Sequence, residues 1–127
     1  MTEFLTAVPI IPGRDIAAST SWYRDQLGFD VFLAEADYGI VGKGEAWIHL
    51  NGPSGIAPED SVTTLRVGVR GIDELYADCE ARGIVHPKAM LHDEPWGFRE
   101  FSVIDLDGNL VTFFEPPEGH DPGQEDA

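Results

Sequence analysis

One order of elements is legible twice in this chain. An apolar segment at residues 4–11, broken by Pro9 and followed by Pro12, suits a strand at a sheet edge or a subunit boundary, because proline cannot donate to a ladder. A helix follows, with Asp15 as N-cap, Ile16, Thr20, Tyr23 and Leu27 at helical spacing, and Gly28 where a left-handed residue would stop it. Three β-type runs at 29–35, 38–42 and 45–51 complete a βαβββ unit. Residues 52–60, rich in Pro, Gly and Ser, read as a linker, and the same order then begins again. A strand at 62–69 leads to a helix striped by Ile72, Leu75, Tyr76 and Cys79 and ended by Gly83. Strands at 84–91, 99–105 and 110–115 follow, the last two joined through Asp107, Gly108 and Asn109 as a hairpin turn. The expected fold is therefore α+β: one domain over 1–115, made of βαβββ modules at 1–51 and 62–115. The acidic, Pro-rich residues 116–127 lack apolar periodicity and are expected to be disordered.

Composition narrows the function classes. With 127 residues, 43% of them apolar, the chain holds one ordinary core. Cys79, the single cysteine, has no disulfide partner, which fits a reducing compartment and excludes a Cys-rich zinc site. Eight basic against twenty-three acidic residues give a formal charge of −15. Such a charge disfavours nucleic-acid backbones and anionic membranes and favours cationic ligands through long-range steering. The first residues carry Glu3, Pro9 and Pro12 instead of a basic start and an unbroken apolar run, so a cytoplasmic, non-membrane protein is expected.

Three stretches carry a family resemblance. Residues 7–15 (AVPIIPGRD), with Trp22-Tyr23 and Leu27-Gly28-Phe29 beyond them, make the first; residues 69–76 (VRGIDELY) make the second. Residues 94–101 (EPWGFREF), followed by Asp105, Asp107, Gly108 and Asn109, make the third. In this order and spacing they resemble the bleomycin-resistance branch of the glyoxalase/bleomycin resistance/dioxygenase (vicinal oxygen chelate) superfamily. The resemblance implies that each module curls four strands into a cup. It implies a homodimer whose binding sites combine cups from different subunits, with the N-terminal strand exchanged between them. The implied activity is sequestration of a bleomycin-type glycopeptide without chemical modification.

Enzymes of that superfamily hold a divalent metal with four His or Glu ligands converging from four strands. The corresponding residues here are Val8, His49, Thr64 and Thr112, and a lone imidazole holds no metal usefully, so no metal, cofactor or catalytic residue is expected. The alternatives are a metal-dependent lyase or dioxygenase that uses His49 with other ligands, and a binder of an aromatic metabolite unrelated to resistance.

Strand alternation puts Glu45, Trp47, His49 and Asn51 on one face and Ala46, Ile48 and Leu50 on the other. Likewise Thr64, Arg66 and Gly68 oppose Leu65, Val67 and Val69, and Leu110, Thr112 and Phe114 oppose Val111 and Phe113. By resemblance, Trp96 and Tyr38 form a stacking pair for a flat, cationic aromatic ligand, with Phe32, Trp47, His49, Arg66 and Thr112 as groove walls. Arg66 would repel such a ligand unless Glu100, expected on an adjacent strand, neutralises it.

Overall fold

The structure, a computed structural model, describes residues 1–120 and contains two compact units, one ending at Ile56 and the other beginning at Ala57. The first holds β1 (Ile10–Pro12), α1 (Ile16–Leu27), β2 (Asp30–Ala34), β3 (Tyr38–Lys43) and β4 (Ala46–Asn51). Its sheet runs β1-β4-β3-β2, with β1 parallel to β4 and the other neighbours antiparallel. The second holds β5 (Thr64–Gly68), α2 (Ile72–Ala81), β6 (His92–Asp93), β7 (Arg99–Ile104) and β8 (Leu110–Glu115). Its sheet repeats the pattern as β5-β8-β7-β6, with β5 parallel to β8. The α+β class and the doubled βαβββ order expected from the sequence are both present.

In the first unit the Asp15 carboxylate accepts the Ala18 N–H at 3.1 Å, satisfying a donor that the helix itself leaves open, and Gly28 closes the helix at φ 75°. The buried stripe Ile16, Thr20, Tyr23 and Leu27 belongs to the same core as Val41, Ile48 and Leu50. Each buried Ile, Leu or Val among them contributes roughly 1.5–3 kcal/mol. At Gly39 the helix packs close on the sheet: a Cβ there would lie 2.7 Å from Thr20 Cγ2 and 2.9 Å from Ile16 Cγ2.

The second unit caps its helix differently. Gly71 enters α2 at φ 82° without a side chain, and the Glu115 carboxylate at the end of β8 accepts the Ile72 N–H at 2.8 Å instead. Beneath the helix, Phe101 meets Tyr76 edge-on at 5.1 Å and Phe113 at 5.4 Å.

Three expectations need correction. The first strand does not span 4–11: it occupies only Ile10–Pro12, and Phe4, Leu5 and Val8 stand exposed ahead of it. No strand runs through 84–91. Val85 makes a single bridge to Val103, and the chain then turns at Pro87, where the Lys88 and Ala89 N–H groups both bond back to His86 at 3.0 Å. Strand pairing resumes only at β6. Nor is the tail free from residue 116, since Pro116 is buried and Arg70 donates to the carbonyls of Pro116, at 3.1 Å, and His120. The remainder of the expected disordered tail, 121–127, lies outside the described residues.

Candidate functional site

In each unit the helix covers one face of the sheet, and the predicted site residues lie on the other, except Trp96, which lies between β6 and β7. On the first sheet the register sets Gly42 opposite Trp47, Ile40 opposite His49 and Tyr38 opposite Asn51. The alternation predicted along β4 is observed: Ile48 and Leu50 are buried, while Trp47 is 39% exposed. The Trp47 indole lies across Gly42, where a Cβ would sit only 2.8 Å from the ring.

Phe32 reaches Trp47 through a bulge. Pairing between β2 and β3 shifts register between Val31 and Leu33, so Phe32 is the extra residue, 58% exposed, with its ring 4.7 Å from the indole centroid. The two rings make an aromatic platform that alternation alone did not reveal. Tyr38 begins β3, as the run at 38–42 predicts. Its hydroxyl lies 2.8 Å from His49 Nδ1 and its ring is edge-on to the imidazole at 5.5 Å, so the expected stacking residue Tyr38 and the expected wall His49 hold each other.

On the second sheet Val111 and Phe113 are buried, and Thr112 and Phe114 are half-buried on the opposite face. Arg66 donates to Glu100 at 2.7 Å, the neutralising pair that the sequence suggested. Their strands are not adjacent, however, because β8 lies between β5 and β7. The guanidinium spans that strand by lying over the Phe114 ring, 4.7 Å from its centroid. Phe98 stacks on the same Phe114 ring, nearly parallel to it at 5.6 Å and 13°. Thr112 exchanges a 2.8 Å hydrogen bond with Ser102 across the β7–β8 ladder.

Trp96 occupies the turn between β6 and β7, closed by hydrogen bonds from Gly97 N–H to Glu94 O at 2.9 Å and from Glu94 N–H to Phe98 O at 2.7 Å. Gly97 sits at φ 95°, and the Trp96 indole is 59% exposed.

Register also gathers residues that the sequence did not connect. His92 faces Glu100 across β6 and β7, and the donor atoms of His92, Glu94 and Glu100 all lie within 4.8 Å of one another. The Met90 carbonyl, at 2.8 Å from Nδ1, and then Glu94, at 2.6 Å from Nε2, hold His92 above its ordinary pKa. Arg66 pairs with Glu100 and the His92 imidazole with Glu94, so each of the two carboxylates has a partner.

The donor set at the superfamily's metal positions does not fit a metal. Val8 offers no donor and lies ahead of β1, Thr64 and Thr112 offer only neutral hydroxyls, the latter bonded to Ser102, and His49, bonded to Tyr38 through Nδ1, is a single imidazole. Cys79 is no nucleophile either, since complete burial pushes its thiol up to about 11. The Asp-Gly-Asn stretch is structural: Asp105 accepts the Asp107 N–H, the Asn109 N–H and the Asn109 side-chain amide, at 2.9, 2.8 and 3.0 Å. A cleft of about 410 Å³ at the start of α1, lined by Arg14–Ala17 and 34–36, contains none of the predicted site residues.

Sequence kinship now bears on this geometry. Residues 6–113 match the family described as the Glyoxalase/Bleomycin resistance protein/Dioxygenase superfamily. The chain belongs to that superfamily. Among its members, a bleomycin resistance protein of Geobacillus stearothermophilus is 34% identical over 127 residues, covering 87% of this chain and 96% of its own length. A solved structure of the superfamily, a bleomycin-binding protein from bleomycin-producing Streptomyces verticillus complexed with copper(II)-bleomycin, is 29% identical. It covers 93% of this chain and 100% of its own, with a TM-score of 0.76. Lactoylglutathione lyase from Agrobacterium tumefaciens, 19% identical, shares the superfamily fold with a TM-score of 0.72 over 91% of this chain and 96% of its own. No helix among the described residues is long and apolar enough to cross a membrane.

Proposed function

We propose that this protein binds bleomycin-type glycopeptide antibiotics and lowers their free concentration without altering them, acting in the cytoplasm as a homodimer whose N-terminal strands are exchanged. The observation that carries this reading is the coincidence of exposed aromatic side chains, Phe32, Trp47 and Trp96, with 34% identity to a bleomycin resistance protein. Exposed rings on a sheet face suit a flat bithiazole, and each stacking contact adds about 0.5–1.5 kcal/mol beyond area burial. The charge of −15 favours the drug's cationic tail. Arg66 is no obstacle, because Glu100 neutralises it.

The exposed Phe4, Leu5 and Val8 ahead of β1 suit a segment that is covered by a second copy. A metal-dependent lyase or dioxygenase has less support, because His49 alone among the four metal positions carries a good ligand.

The test mixes the purified protein with bleomycin and plasmid DNA, then recovers the drug for mass analysis. Strand cleavage is expected to fall as protein is added, up to equivalence with the drug, and the recovered drug to have unchanged mass. A mass change would establish an enzyme instead, and absence of protection would point to a different flat ligand.

A further inference from the structure

The segment 116–120 is fastened at one point and seated at another. Arg70, immediately before α2, donates to the carbonyls of Pro116 and His120, and the His120 N–H closes the segment's own turn onto Pro117 O at 3.0 Å. Its far side rests on the Trp96 loop. A Cβ on Gly97 would meet Pro117 Cγ at 3.0 Å, and the His120 ring stands edge-on to Phe98 at 5.9 Å and 70°. Phe98 is thereby held between His120 and Phe114.

Elsewhere the loop is held by the His92–Glu94 pair at its start and by Phe98 stacked on Phe114 at its end, which leaves Pro95, Trp96 and Gly97 between them. β6 is two residues long and pairs only with Arg99 and Glu100, and the loop's own closure is the pair of hydrogen bonds joining Glu94 to Gly97 and Phe98. A loop with few buried contacts opens locally at low free-energy cost, and a ligand that must first order it binds more weakly.

We propose that Arg70 is a positioning residue. By clasping residues 116–120 against Gly97 and Phe98, it holds the 94–98 loop in the conformation that presents Trp96 to ligand. The ligand half of this inference rests on the reading of Trp96 given above; the clasp itself does not.

The experiment compares full-length wild type with Arg70→Ala, Arg70→Lys and Pro117→Gly, using amide hydrogen exchange and titration with copper(II)-bleomycin. Exchange at the Glu94 and Gly97 amides is expected to rise about tenfold in Arg70→Ala, with β7 and β8 amides unchanged, and the Kd to rise about three- to tenfold. Arg70→Lys, which can reach one carbonyl at a time, should recover part of both effects. Pro117→Gly removes the ring facing Gly97 without touching Arg70 and should loosen the same two amides, which keeps the test decisive if Arg70→Ala folds poorly. Unchanged loop exchange in both Arg70→Ala and Pro117→Gly would overturn the clasp. Faster exchange with an unchanged Kd would overturn the positioning role. If wild type fails to bind the drug, the ligand reading falls while the exchange data still decide the clasp.

Discussion

The two units run through the same order of elements and use it differently. In the first, β2, β3 and β4 are each five or six residues long, and the open face carries rings whose polar atoms are few: Phe32, Trp47 and the Tyr38–His49 pair. In the second, the outermost strand shrinks to His92–Asp93, and the open face is crossed by Arg66–Glu100 and the ion pairs behind it. The hairpin turns differ in the same sense. Gly44, between β3 and β4, has nothing within 4 Å of its would-be Cβ, whereas Gly108, between β7 and β8, lies against Pro58 and within the Asp105 hydrogen bonds. The first unit keeps its strands and leaves its turn and rings open; the second shortens a strand, which frees a loop for Trp96, and ties down its far turn.

The largest expected effect comes from those two turns. Both glycines have positive φ, 58° at Gly44 and 81° at Gly108, so alanine at either is strained by about 1–2 kcal/mol. At Gly108 the new Cβ would also fall 2.0 Å from the Pro58 carbonyl oxygen, so Gly108→Ala should destabilise by roughly 4 kcal/mol or more in chemical denaturation. Equal losses at the two sites would erase the contrast.

The open faces give the next effect. Arg66→Ala leaves the buried Glu100 carboxylate without its cation and should cost about 1–2 kcal/mol of stability, a figure held down because the guanidinium is half exposed to solvent. Phe32→Ala, at an exposed bulge, should cost under about 1 kcal/mol of stability yet weaken drug binding about tenfold by titration. Stability loss at Phe32 that exceeds the loss at Arg66 would reverse the assignment of roles.

The smallest effect is a pH dependence confined to the second unit. The pKa of His92 is raised in the fold by the Met90 carbonyl and Glu94. Its contribution is therefore complete below about pH 6.5, the unfolded value, and is lost as pH rises through the folded value. Since the ring is nearly half exposed, a loss of only a few tenths of a kcal/mol is expected, and His92→Gln should remove it. A pH-independent difference between wild type and variant would show that the pairing contributes nothing.

Much of the fold was legible because capping and periodicity are local. Asp15, Gly28 and the Ile16 to Leu27 stripe define α1 without reference to anything distant. The failures arose in 4–9, which precedes the three residues that pair with β4, and in 84–91, where Pro87 turns the chain after one bridge to β7, so that proline outweighed the apolar runs around it. The site was legible residue by residue but not in its contacts. A bulge at Phe32 leaves no mark in the sequence, since it depends on how β2 slips against β3. The reach of Arg66 over Phe114 to Glu100, and the meeting of His92 with Glu94 and Glu100, depend on strand order and register that span dozens of residues.

The central claim is that exposed rings on these sheets hold a bleomycin-type drug. Calorimetric titration of the full-length protein with copper(II)-bleomycin tests it most directly, run beside Trp96→Ala. Saturation at one drug per chain, with affinity reduced about tenfold or more in the variant, is the predicted result. No binding at about 100 μM drug, a free-energy change smaller than about 5.5 kcal/mol, would contradict it, as would a Trp96→Ala variant that binds like wild type.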